Sequence, residues 1–252
     1  MGAVPQGSPS ATVTAPSASG RRLLLAIAVW LCLWAAATLV TLEAMLAAAR
    51  LLRDPQLHRN ELTDFAALWL AEAYLALLGA LLLTFGGRAG LRSRLGFRFT
   101  SWADIALAFG IWLPALLVAA LLLSLQAFLI GRQPPSNTEE LLRLAHNPLF
   151  VGVVVPTLTV LGPATEELFF RGALFGWMRT RLPVPWSIGI SAAVFAGAHF
   201  IPLLFIALFV FGVAAALIYQ LTGSTMNSFF LHACQNTLAV LVTYAVLARS
   251  PG

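Results

Sequence analysis

The chain has 252 residues, 60% of them hydrophobic and only 10% charged. A soluble domain carries roughly 25% charged residues, so this chain cannot furnish a water-facing surface and reads as an all-α, polytopic membrane helix bundle of about seven to eight transmembrane helices. All 15 basic residues are arginine, for a net charge of +5; they lie between apolar runs, which suits membrane lipid with anionic headgroups, and they form no dense basic patch interleaved with aromatics, which excludes a nucleic-acid partner.

Residues 1–20 are rich in Ala, Ser, Pro, Gly and Thr and carry no charge. They cannot bury enough apolar area to order themselves and read as a disordered N-terminal tail. Residues 21–147 read as a group of N-terminal transmembrane helices. Arg21 and Arg22 precede an apolar run from Leu23 to about Ala49, too long for the ~7–15 residues of a signal-peptide core, so it is expected to be an uncleaved first span. A polar loop from Arg50 to Thr63 follows, then a second span at about Asp64–Phe85 ending at Gly86-Gly87. An arginine-rich loop with Arg88, Arg92, Arg94 and Arg98 leads to a third span at about Ala103–Ile130, which Pro114 is expected to kink. Gly131 to Asn147 is a polar loop. Cys32 and Cys234 form no CxxC pair and no disulfide framework, and read as small core residues.

Residues 148–249 read as a membrane-embedded catalytic core. Pro148–Leu161 is apolar but short for a crossing of ~20 residues, and Gly162-Pro163 is expected to break it. A helix should then start at Thr165 as N-cap, with Glu166 and Glu167 in its first turn, where the helix dipole favours anions. It should end near Arg181. A short span at Trp186–Phe200, a span at Leu203–Leu221 and a last span at Met226–Ala248 complete the chain. An inside N-terminus puts nine arginines on the cytoplasmic side and six on the other, a slight bias of the expected sign.

Thr165-Glu166-Glu167-Leu168-Phe169-Phe170-Arg171-Gly172 places two carboxylates and a guanidinium in this apolar setting. Charges are expensive in hydrocarbon and are rarely placed there without a task. Glu167 and Arg171 stand at i,i+4 in the favourable order, so Arg171 can neutralise Glu167 and brace the helix. Successive helical residues diverge by ~100°, which leaves Glu166 free to face a cavity as a general base. His199 lies one turn after Phe195, and His232 and Asn236 project from one face of the last span. A carboxylate and an imidazole can hold and deprotonate a water, and an imidazole and a carboxamide can stabilise an oxyanion. Alternatively, Glu166, His199 and His232 make a three-ligand set for a divalent metal such as zinc. Spacing does not choose between a metal and none.

Glu166-Glu167-x-x-x-Arg171, Phe195-x-x-x-His199 and His232-x-x-x-Asn236, in that order over about Pro148–Ala248, resemble the three motifs of the CAAX protease and bacteriocin-processing family, the Abi-type intramembrane proteases related to type II CAAX prenyl endopeptidases. The resemblance implies a membrane-embedded endopeptidase acting on a peptide or membrane-anchored protein near the membrane surface. By position, Glu166 and His199 would activate water, His232 and Asn236 would support the oxyanion, and Glu167 and Arg171 would hold the first motif together. Family members include enzymes described as metalloproteases and others described as metal-independent glutamate proteases. The arginine-only basic set fits a GC-rich genome and hence a bacterial plasma membrane. Two other readings compete. One is a non-catalytic immunity or scaffold protein of the same fold. The other is a transporter, whose polar residues should step across the bilayer instead of clustering.

Overall fold

The computed structural model describes residues 19–52, 57–131 and 148–247. The expected tail, apart from its last two residues, and the polar loop 132–147 lie outside them. Eight helices follow one another, and no strand occurs among the described residues: α1 (Gly20–Leu52), α2 (Leu57–Phe85), α3 (Gly87–Arg94), α4 (Trp102–Ile130), α5 (residues 148–178), α6 (Val184–Gly197), α7 (Phe205–Thr222) and α8 (Thr225–Leu247). Six are long and apolar enough to cross a membrane, and α6 is a shorter apolar helix. The loop expected at Arg50–Thr63 is mostly helical, because α1 and α2 extend into it from both sides.

The bundle exposes large apolar side chains and buries a polar cluster within its apolar core. Leu113, Leu117, Leu121, Phe128 and Leu129 of α4 are exposed, whereas Thr165, Glu167, Arg171, Ser187 and Ser191 are buried. This suits a lipid solvent, which leaves apolar side chains no reason to turn inward and drives polar ones together. Cys32 and Cys234 follow the same rule: both face outward, not into the core. Pro114 sits within α4 without ending it.

α1 and α2 form an antiparallel pair. The Trp30 indole N–H donates to the Ala73 carbonyl (2.9 Å), and the Thr41 hydroxyl donates to Glu72. Glu43 is exposed on the outside of α1, so neither early glutamate reaches the later motifs. The short α3 lies at the bundle end with Gly90 and Leu91 buried and its arginines exposed. Gly20 packs on Trp177, and the Thr225 N–H donates to the Gly96 carbonyl (3.0 Å). These contacts bring Arg21, Arg22, Arg88, Arg92, Arg94, Arg98, Arg179 and Arg181 to one end of the molecule. Arg171 is not among them, since it is buried in the interior.

α5 departs most from expectation. Gly162-Pro163 does not break it, and the span expected at Pro148–Leu161 and the motif helix are one continuous rod. The rod absorbs the proline by widening. Thr157–Leu161 is π-helical, and the Gly162 N–H bonds to the Thr157 carbonyl, five residues back. Such local adjustments re-satisfy backbone groups freed by proline in membrane helices. Thr165 is therefore no N-cap: its hydroxyl donates back to the Leu161 carbonyl (2.9 Å). A second π segment, Leu168–Phe175, carries Arg171 and Gly172.

Close approaches are made at glycines. A Cβ on Gly172 would lie 2.8 Å from the Leu95 carbonyl oxygen and 2.9 Å from Leu95 Cβ, so this glycine admits the loop after α3 against the rod. Gly172→Ala is expected to overpack that contact at a cost of about 1–3 kcal/mol. The thermal midpoint of detergent-solubilised protein should fall by roughly 2–10 °C. Gly189→Ala, whose Cβ meets nothing within 4 Å, should leave it unchanged.

Candidate active site

The functional side chains come from three helices of the core, α5, α6 and α8. Glu166, Glu167 and Arg171 lie in the middle of α5. Glu166 is fifteen residues past Val151 and twelve before Met178, the two ends of its apolar span, so roughly 18–22 Å of helix extends on either side. The unbroken α5 thus carries Glu166 near the middle of its own apolar helix. α6 ends at Gly197 and delivers His199 just beyond its last turn, at a left-handed Phe200 with φ 55°. α8 supplies His232 and Asn236 from one face.

Glu167 and Arg171 pair at 2.9 Å, both almost wholly buried. Burying a charge is costly unless it is paired and hydrogen-bonded. Arg171 gains further support from the Gly212 carbonyl (3.4 Å) and from the face of Phe195, 4.4 Å from its guanidinium carbon. Glu167 has a second partner, the Nδ1–H of His232 at 3.0 Å. Glu167 therefore does more than brace α5: it also orients an imidazole from another helix. With Nδ1 so engaged, Nε2 of His232 faces Glu166, 3.8 Å from its Oε2.

Phe195 is the hub of the cluster. His199 packs on its ring at 4.8 Å and His232 at 5.7 Å, with Phe170 and Phe211 on other sides. His199 Nδ1 lies 2.8 Å from the Phe195 carbonyl. That carbonyl can only accept, so Nδ1 carries a proton and points Nε2 away from it.

Asn236 has a role no spacing rule suggests. Its Nδ2 donates to the Leu158 carbonyl at 2.8 Å. That carbonyl lies in the first π segment. Its partner five residues on would be Pro163, which has no N–H, and the Gly162 N–H is already spent on Thr157. Asn236 thus satisfies the acceptor that the proline orphans, and its amide retains a second N–H.

Glu166, His199, His232 and Asn236 all line one cavity of ≈ 290 Å³. Tyr74, Phe195, Trp112 and Gln235 join them around its polar part, and Ala115, Ala119, Leu123, Leu204 and Ala207 make its apolar walls. Three of these neighbours escaped the sequence reading. The Tyr74 hydroxyl donates to Glu166 Oε1 at 2.6 Å, and the Trp112 indole donates to Gln235 at 2.9 Å. Gln235 adjoins Asn236 within a segment already rich in polar groups. Tyr74 and Trp112 had no local signal beyond being polar-tipped residues inside apolar spans.

The three side chains considered as metal ligands share the cavity, but among the described residues no group of three or more His, Cys, Asp or Glu is arranged to hold a metal ion. His232 spends Nδ1 on Glu167, and its Nε2 lies 3.8 Å from Glu166.

Residues 147–238 match the family model of the Rce1-like type II CAAX prenyl endopeptidases. That segment is similar to the CAAX protease family. The match covers somewhat over a third of the chain and contains Glu166, Glu167, Arg171, His199, His232 and Asn236, but not Tyr74 or Trp112. The matched family is one of membrane proteases, and the six long apolar helices make the chain an integral membrane protein. No curated protein and no solved structure matches the chain.

Proposed function

We propose that the cavity is the active site of an intramembrane endopeptidase that hydrolyses a peptide bond with a water activated by Glu166. The observation that carries this reading is the pair of Glu166 and His232, facing one another at 3.8 Å in the wall of a ≈ 290 Å³ cavity that His199 and Asn236 also line. Glu166 Oε2 has no hydrogen-bond partner among the described residues. It is the oxygen available to take a proton.

In this reading a water lies against Glu166 and His199 Nε2. Glu166 Oε2 takes one of its protons as the oxygen attacks the peptide carbonyl carbon. The carbonyl oxygen becomes an oxyanion, which the free N–H of Asn236 stabilises, joined by His232 Nε2 when that nitrogen carries a proton. The tetrahedral intermediate collapses as the C–N bond breaks, and the amine leaves with the proton held by Glu166. Arg171 and Glu167 hold the orienting end of His232 throughout. No step passes through a metal, and activity is expected to survive chelators. The apolar walls suit a segment of a membrane-anchored protein or a hydrophobic peptide as substrate, in the plasma membrane of a bacterium.

The test is cleavage of a peptide library by the purified protein in lipid nanodiscs, with and without chelator. His199→Ala should lower turnover by about 10²–10⁴-fold while the protein accumulates and unfolds at the same temperature as the parent. Full activity of that variant would remove His199 from the reaction. No cleavage by the parent chain of any member of the library would favour the scaffold reading.

A further inference from the structure

Glu166 is held from outside the three motifs. Tyr74, on α2 and 92 residues earlier in the chain, donates to Glu166 Oε1 at 2.6 Å. The opposite oxygen, Oε2, has no hydrogen-bond partner among the described residues and faces His232. The two oxygens are therefore not equivalent. Tyr74 occupies one of them and leaves the other facing His232.

The ring of Tyr74 is itself seated. A Cβ on Gly162 would meet its Cζ at 3.2 Å and its Cε2 at 3.4 Å, and the Thr157 carbonyl oxygen at 3.0 Å. The bare backbone of Gly162, on the turn that the π segment widens, lets the phenol lie flat enough against α5 to reach a carboxylate four residues further along the rod. Tyr74 and the widened turn are independent observations, and both serve the orientation of one side chain.

We propose that Tyr74, seated on Gly162, is a positioning residue for the reaction. It fixes the rotamer of Glu166 so that Oε2 is the basic oxygen. This inference rests on the assignment of Glu166 as the base. It adds a contribution from the N-terminal helices, which lie outside the family match, to a site whose motif residues all come from within it. A carboxylate free to rotate would spend part of its time bonded to His232 or turned from the water, and reaction rates fall steeply with such misplacement.

Tyr74→Phe removes the hydroxyl and keeps the ring. Its kcat is expected to fall about 10- to 100-fold, the range set by loss of one hydrogen bond to a charged group, with KM within about threefold of the parent and an unchanged thermal midpoint. Gly162→Ala retains the hydroxyl and displaces it by a few tenths of an ångström; a smaller kcat loss of about 3- to 10-fold is expected. Tyr244→Phe, on the exposed side of α8, is the control and should match the parent. An unaltered kcat in Tyr74→Phe overturns the proposal. So does a parallel loss of kcat and thermal midpoint, which would make Tyr74 a packing residue only. If Tyr74→Phe does not accumulate, the kcat of Gly162→Ala decides by the same criteria. Glu166→Gln, assayed alongside, separates the two claims. If it is inactive while Tyr74→Phe is fully active, the base assignment stands and the positioning role falls. If both are fully active, the base assignment falls too.

Discussion

Glu166→Gln is expected to lower cleavage by about 10²–10⁴-fold, the contribution of a general base, without loss of protein from the membrane. The change is isosteric. The carboxamide oxygen can still accept from Tyr74, and the cavity keeps its volume, so packing at the cluster should be preserved. What disappears is the ability of the second oxygen to take a proton from water, because an amide nitrogen has no basic lone pair to offer. The measurement is the initial rate on a cleaved peptide at matched protein concentration, with thermal midpoints recorded for parent and variant. Parent-like turnover would move the base elsewhere in the cavity, with His199 the next group to test.

Arg171→Ala should act by a different route and fail earlier, at folding. Arg171 and Glu167 are 1% and 0% exposed in their side chains. Removing one member of a buried pair leaves the other charge without compensation, at a cost of about 3–5 kcal/mol. The Arg171 contact with the Phe195 ring is lost as well. The variant is expected to accumulate poorly in membranes or to unfold many degrees below the parent. Replacing both partners, as in Glu167→Gln with Arg171→Met, should recover much of the lost stability, because apolar or neutral substitutes need no compensation. Activity should not return with it. His232 would lose the carboxylate that holds Nδ1, and with it the fixed aim of Nε2. Membrane abundance, unfolding temperature and turnover, measured together for the single and double variants, check both halves. A stable, fully active Arg171→Ala protein would mean that the pair carries neither the fold nor the site.

The helices and the Glu167–Arg171 pair were legible in the sequence because both depend on short spacing. An apolar run of some twenty residues has few alternatives to a spanning helix, and an acid four residues before an arginine faces it on any helix. The same local logic misjudged Gly162-Pro163. In water that pair ends a helix, and the sequence reading therefore started a new one at Thr165. In the bundle the rod continues, because Asn236 satisfies the Leu158 carbonyl that Pro163 cannot. That partner is 78 residues away, and no window of local sequence contains it.

The chain itself therefore determined that this is a membrane helix bundle and which polar residues are candidates for chemistry, since those follow from hydropathy and from three short motifs. Their division of labour was decided by the tertiary structure. Glu167 spans two partners, Arg171 on its own helix and His232 on α8; Asn236 mends a widened turn; and Tyr74 picks out one oxygen of Glu166. The physical reason is that a polar group buried in an apolar interior must find its partner wherever the packing supplies one. Those partners are fixed by which helices touch, and that contact is written across the whole chain, not in any one segment of it.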